Sequence, residues 1–388
     1  MSSRLRRVRP RTVSNGEGFH QLLPLLILVV AGACGPTEVL VGDTPGVARV
    51  TAGVLAVPPV PPASAQADTA VNGDAVEIPI GPPAGLVAFA DGSFYFGDRS
   101  RRRVGFVSAD GFLTWPIGLG ACALQGSPDG PATNLCLIQP AGLAPDGAGN
   151  LILSDDRAHR VYRYIPGEER VEVLLGTGQG GIGASGAVAR TERTFGPADV
   201  AVGPDAAVYV AERQNHRVVR IGTDGLLTIA AGTGEQGDLG DGGPASDARL
   251  SLPEGVHWMG DTLYIADSGN HRLRRVVGGV IESYAGVGAQ GFAGDGGPAA
   301  GALFSRPGRM ASVGSLLFIA DRGNHRIRLI QVGPDSIGTF GGTGQGQPGA
   351  DLLEIGRTAL ATPSGVAVGG RAVFVADSGG YVVRRVVR

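Results

Sequence analysis

The sequence predicts an all-β chain folded as a six-bladed β-propeller, and two markers sharing one register predict it. Ala-Asp-Ser-Gly-Asn-His-Arg at 266–272 recurs as Ala-Asp-Arg-Gly-Asn-His-Arg at 320–326, with looser copies at 97–103, 154–160, 211–217 and 376–382. Their acidic residues, Asp98, Asp155, Glu212, Asp267, Asp321 and Asp377, stand 54 to 57 residues apart. A proline opens an apolar run at the same step, at Pro83, Pro140, Pro197, Pro253, Pro307 and Pro363. Self-similarity at such a period marks a repeat architecture, because one unit cannot bury its faces without its neighbours.

The unit is clearest after Pro253. Residues 255–258 read as one short strand and 262–266 as the next. Asp267-Ser268-Gly269-Asn270 makes the turn, where Asp bonds back to the backbone and Gly and Asn accept positive φ. Residues 272–277 and 281–285 complete four short antiparallel strands, and their radial repetition is a propeller. The last repeat ends at its third strand, 382–387, and an open edge there invites association. The N-terminal side is expected to supply the fourth. Residues 76–80 are the first choice, since Ile78-Pro79-Ile80-Gly81 echoes Trp115-Pro116-Ile117-Gly118; residues 50–57 are the alternative. Proline is tolerated in an edge strand.

Composition fits this plan. The 388 residues are 43% hydrophobic, and the 66 glycines and 26 prolines punctuate apolar runs as turns do. All 33 basic residues are arginine. Residues 1–33 carry five Arg and one Glu, so a formal charge of −2 for the chain becomes −6 from Cys34 onward. A mildly acidic body is a poor match for nucleic-acid phosphates, which require clustered positive charge.

The first residues read as an address. Arg4, Arg6, Arg7, Arg9 and Arg11 precede an apolar run over 22–31, too short to span a membrane, which takes about 20 residues. Small residues then lead to Cys34, the order of a secretion signal. Ala31-Gly32-Ala33-Cys34 resembles the lipobox of bacterial lipoproteins, which implies export, lipidation at Cys34 and a place in the bacterial cell envelope. The expected domains are 1–33, a lipoprotein-type signal peptide; 34–74, a Pro/Ala/Gly-rich tether; and 75–388, the propeller. With Cys34 lipidated, Cys122 and Cys136 remain as an even pair that an oxidising compartment would bond, though two buried thiols stay open as the alternative.

At the level of family, Tyr-Ile-Ala-Asp-Ser-Gly-Asn-His-Arg at 264–272 looks like the NHL repeat. The loops 240–245 and 294–299, both Gly-Asp-Gly-Gly-Pro-Ala, resemble those of NHL domains in bacterial exported proteins and teneurins. The resemblance covers about 75–388 and implies the propeller. It leaves function open, because such propellers host enzymes, RNA binders and protein scaffolds.

The chemistry-bearing residues divide by repeat position. His159, His216, His271 and His325 share one position, so symmetry keeps them apart; they read as packing and hydrogen-bonding within each blade, and no metal site is expected. The lyase that completes peptide amidation is similar in fold and carries metal-binding His after the blade-opening Pro. Here those places hold Ala84, Ala141, Ala198, Glu254, Gly308 and Ser364, so the zinc site does not carry over. No motif of virginiamycin B lyase or strictosidine synthase is matched. The same six positions converge on the channel axis. Glu254, Arg309 and Ser364, with His257 along the same strand as Glu254, are therefore the ligand-binding candidates, against a solvated rim salt bridge.

No nucleophile stands beside a matched base, so no catalytic residue and no cofactor is assigned. The Gly-Thr-Gly runs at 176–178, 232–234 and 342–344 lack a following Lys-Ser/Thr and helix, and read as turns. Asp238, Asp241 and Asp247 do not match a calcium loop. Arg99, Arg101, Arg102 and Arg103 form an expected basic patch in the first blade's turn. The expectation is a monomeric, non-enzymatic envelope scaffold for a protein or glycan, touching the membrane only through its lipid and binding no nucleic acid. The competing expectation is a lyase or hydrolase acting at the channel mouth.

Overall fold

The structure is a computed structural model, which describes residues 48–52, 73–74, 79–122, 128–347 and 358–387. The signal segment and Cys34 lie outside these residues.

Short β-branched runs separated by glycine turns fold as six antiparallel sheets in chain order. Blade five is typical. Pro307–Val313, Leu316–Asp321, Arg326–Gln331 and Ser336–Gly341 pair in succession from the axis outward. Blades one to four follow the same order from Pro83–Ala88, Pro140–Pro145, Pro197–Val202 and Gly255–Met259. Blades one and two carry a short fifth strand each, Gly73–Asp74 and Gly130–Pro131.

Blade six corrects the expected closure. Its fourth position is held by Ala48–Ala52, which pairs antiparallel with Val382–Val387. Residues 79–80 are in no strand and 75–78 lie outside the described residues. The reason is local. Pro79 has no N–H to donate to a ladder, and two residues on, Gly81 N–H donates to the Asp98 carboxylate at 2.7 Å. That bond draws the segment to the start of blade one, away from any outer edge. Within the tether expected over 34–74, Ala48–Ala52 and Gly73–Asp74 are paired in sheets, and its other residues lie outside the described ones.

Each sheet is buried on both faces, so side chains from every consecutive pair of blades fuse into one cluster. The first and last blades meet in the same way. Phe94, Phe96 and Trp115 pack against Phe374 and Val383, with the Phe94 and Phe374 rings 5.0 Å apart. Burying one such side chain is worth roughly 1.5–3 kcal/mol, and this seam joins residues nearly 300 positions apart.

The repeated turn works differently from its sequence reading. Ser268–Asn270 and Arg322–Asn324 are single 3₁₀ turns, and the left-handed residue is the histidine that follows, with φ of 54° at His271 and 56° at His325. Gly269 is required by proximity instead, because a Cβ there would meet the Ser251 carbonyl at 2.8 Å and the Ser251 Cβ at 2.9 Å. The buried acid ties this turn to the preceding inter-blade loop: Asp267 accepts from Ser251 N–H at 2.7 Å and from Asn270 Nδ2 at 2.8 Å. The histidines also differ from expectation. His159, His216 and His271 accept through Nδ1 from the amides of Gly196, Leu252 and Arg306, on the segment that opens the next blade. They join blades rather than decorate one.

The Gly-Asp-Gly-Gly-Pro-Ala loops are held by buried arginines. Arg274 and Arg328 are fully buried, and they pair with Asp241 at 2.5 Å and Asp295 at 2.7 Å. Cys122 and Cys136 form a disulfide with Cα atoms 5.9 Å apart.

Candidate functional site

The six inner strands start at one end of the axis and finish at the other, so side chains near their starts share one channel mouth. Arg309, two residues into its strand, crosses the channel. Its Nε meets Asp199 at 3.1 Å, one terminal nitrogen donates to the Ser364 carbonyl at 2.8 Å, and the other to the Ala198 carbonyl at 2.6 Å. Asp199 and Ala198 belong to blade three and Ser364 to blade six, opposite one another in a ring of six. A guanidinium bonded to both sits at the axis as a bar. Asp199 is buried; desolvation pushes its carboxyl up to about 6, against the pull of Arg309.

Above the bar lies a ring set by one repeat position, the residue after each buried acid. It reads Arg99, Asp156, Arg213, Ser268, Arg322 and Ser378 around the six blades. Arg213 donates to both oxygens of Asp156, at 2.8 and 3.1 Å, and lies 3.5 Å from Glu254. Arg322 donates to the other oxygen of Glu254 at 2.5 Å. The serines reach the next blade's opening proline: the Ser268 hydroxyl donates to the Pro307 carbonyl and that of Ser378 to the Pro83 carbonyl.

Below the bar a cavity of about 270 Å³ continues toward the strand ends. Its wall is mostly apolar, from Leu86, Leu143, Val200, Val256, Met310 and Val366, with Asp199 and Arg309 of the bar and His257, Trp258 and Ser312 as polar members. His257 Nε2 and the Ser312 hydroxyl share a hydrogen bond of 2.8 Å. Desolvation holds His257 down at about 4, so the imidazole is neutral at pH 7.

That depression has a testable sign. Between pH 6.5 and 4 the folded chain binds fewer protons at His257 than the unfolded chain does, so its contribution to stability is lost as pH falls, by about 3 kcal/mol at the acid end. Asp199, Asp267 and Asp321, each raised to about 6 by burial, act oppositely and lose stability as pH rises from 4 to 6. His257→Gln isolates the first effect. Urea melts at pH 7 and pH 4.5 should show the variant gaining about 2–3 kcal/mol on the parent at the lower pH; parallel curves would remove His257 as the cause.

The four sequence candidates are thus placed but not gathered into one open site. Arg309 and Ser364 meet through the Ser364 carbonyl, while the Ser364 hydroxyl is buried and donates to the Pro83 carbonyl at 2.7 Å. Glu254 is held between two arginines, and His257 lies on the far side of the bar. The expected patch of four arginines does not form. Arg101 pairs with Asp98 at 3.1 Å, buried Arg103 donates to the Leu119 carbonyl at 2.9 Å, and Arg99 takes its place in the mouth ring. Sequence reasoning passed over Asp156, Asp199, Arg213, Ser312 and Arg322. The ring members carried a signal, being the residue next to each repeat's marked acid.

Among the described residues no cluster of His, Cys, Asp or Glu is arranged to hold a metal ion. Asp238 and Asp241 pair instead with Arg272 and Arg274.

No family model matches the chain. It is 26% identical over 287 residues to protein suppressor of quenching 1, chloroplastic, of Arabidopsis thaliana, across 69% of this chain and 27% of that protein. It is 26% identical over 205 residues to NHL repeat-containing protein 2 of Bos taurus, across 46% of this chain and 28% of that protein. The chain therefore spans little more than a quarter of the length of these curated relatives. An auxiliary nutrient binding protein of Bacteroides ovatus superposes with a TM-score of 0.61 at 14% identity, over 88% of this chain and 76% of that one. At that identity the likeness shows the fold alone.

Proposed function

We propose that this six-bladed β-propeller, whose relatives include NHL repeat-containing proteins, is a non-enzymatic binding scaffold of a bacterial envelope, taking a protein or glycan ligand at its channel mouth. One observation carries the reading: the acids at the axis are spent on arginines. Asp156, Asp199 and Glu254 are each held by arginine, and the Arg309 bar separates the mouth from the His257–Ser312 pair. A hydrolase needs a nucleophile, base and orienting acid converging on one open point. Binding needs only a shaped, preorganised rim. The likeness in fold to a nutrient binding protein accords with this reading.

The alternative, a hydrolase or lyase, rests on the 2.8 Å contact between His257 and Ser312. Immobilised full-length chain, probed with envelope polysaccharide fragments and peptides, should retain ligand that mass spectrometry recovers unchanged. Conversion that disappears in Ser312→Ala would overturn the scaffold reading. Anchoring through a lipid at Cys34 is part of the proposal. It predicts that Cys34→Ser moves the protein from the detergent-extracted to the soluble fraction, and unchanged membrane association would remove the anchor.

A further inference from the structure

We infer that the channel mouth carries a carboxylate-binding site between Arg99 and Arg322, above Ser378. The inference rests on the binding reading above and names the chemistry its ligand presents. Position makes the site. Arg99, Ser378 and Arg322 occupy the same ring position in blades one, six and five, so the two arginines flank the shortest side chain in that arc. The other serine of the ring, Ser268, lies between Arg213 and Arg322, but Glu254 bridges those two arginines. Among the described residues no carboxylate does the same over blade six, where the blade-opening step holds Ser364, whose hydroxyl sits 2.6 Å from that of Ser378.

Arg99 is the member left over. Arg213 and Arg322 find Glu254 at the residue after the opening proline of the blade between them, whereas the corresponding residues in the blades flanking Arg99 are Ala141 and Ser364. The nearest ring acid, Asp156, gives both oxygens to Arg213. The Arg99 Nε is buried without a hydrogen-bond partner among the described residues, and Asp156 and Glu254 act on its charge only as the last and smallest influences. Burial first, then the nearby Arg309 and Arg322 charges, bring its guanidinium down to about 10, so it stays protonated at neutral pH. Counting the mouth, Arg99, Arg213, Arg309 and Arg322 face Asp156, Asp199 and Glu254, one positive charge in excess.

The chemistry selects the ligand. A half-buried guanidinium with idle donors, next to a second guanidinium that uses one terminal nitrogen on Glu254, offers a planar fork, and a carboxylate matches it with two parallel N–H···O bonds. Such a group would supply the anion that Glu254 supplies on the opposite arc. It arrives on a sugar acid or on a simple organic acid, and the hydroxyls around Pro83 do not distinguish the two.

The test titrates glucuronate, acetate, glucose and sulfate into the full-length chain by calorimetry, alongside Arg99→Gln and Arg99→Lys. Glucuronate or acetate is expected to bind, with glucose silent, and Arg99→Gln should weaken binding by about tenfold or more, as loss of a charged hydrogen bond does. Tighter binding of glucuronate than acetate assigns the sugar acid; equal binding assigns the simple acid. Arg99→Gln should melt no lower than the parent, since it removes an unpartnered charge. Arg99→Lys keeps the charge without the fork and should bind more weakly than the parent, providing a second variant if Arg99→Gln does not fold. Sulfate binding as tightly as the carboxylates, or an Arg99→Gln variant that binds glucuronate like the parent, would overturn the site. A silent carboxylate titration with polysaccharide or peptide still retained would sink this inference alone and leave the scaffold reading standing.

Discussion

Arg309→Met is expected to cost on the order of 3–5 kcal/mol of stability, the range for breaking a buried ion pair by removing one partner. The variant fills a similar volume, so the loss measures polar bonds rather than a cavity. Asp199 would keep the Val256 amide at 3.1 Å but lose its cation while buried, and the carbonyls of Ala198 and Ser364 would lose their donors together. Arg309→Lys should recover only part of the loss, because an ammonium cannot span three acceptors on opposite blades. Arg309→Met with Asp199→Leu should recover most of it, since removing both partners leaves no buried charge. The pH dependence identifies the cause. Without Arg309 the Asp199 carboxyl rises further above its unfolded value, and a raised acid loses stability as pH increases, so the defect should be smaller at pH 5 than at pH 7. Urea melts at both values decide it; a loss under about 1 kcal/mol at pH 7 would mean that the bar does not brace the ring.

Repetition explains what was legible beforehand. A marker that returns every 54 to 57 residues fixes blade number, strand order and the equivalent place of any residue in each blade. It therefore located Glu254, Arg309 and Ser364 at the axis. It could not say which blade a long side chain would reach. Arg309 bonds Asp199 from 110 residues away and skips the blade between them, a choice made by side-chain length and by where small residues leave room. Closure was illegible for a different reason. The segment before Pro83 has no counterpart in the repeat, so no register marker favoured Ala48–Ala52 over 76–80, and the competing bond from Gly81 to Asp98 spans separate motifs. The turn misled because propensity assigns positive φ to Gly and Asn, while here Asn270 spends its side chain on Asp267 and the Gly237 carbonyl and the strain passes to His271.

The buried arginine of blade five predicts a comparable loss with a different signature. Arg328 is fully buried and donates to the carbonyls of Leu303 at 3.1 Å and Ala293 at 3.2 Å, to Asp295 at 2.7 Å and to Asp321 at 3.4 Å. It also lies 5.3 Å from the Phe304 ring centroid and 4.9 Å from that of Phe292. Three of these partners carry most of the energy. Asp321 is buried and would be left charged without a cation, and the carbonyls belong to the loop that joins blades four and five. Asp295 is 40% exposed on its side chain, so solvent screens its pairing. Arg328→Met is therefore expected to cost about 3–5 kcal/mol, and Asp295→Asn less than about 1 kcal/mol. The damage should be local first. Amides of Gly296 and Ala299, which donate across to Ile337 and Asp335, should lose hydrogen-exchange protection in Arg328→Met before those of the inner strand Pro307–Val313. If both variants lose the same stability, the exposed ion pair rather than the buried carbonyl clamp holds the loop, and the account of the Gly-Asp-Gly-Gly-Pro-Ala motif as an arginine-pinned hinge between blades fails.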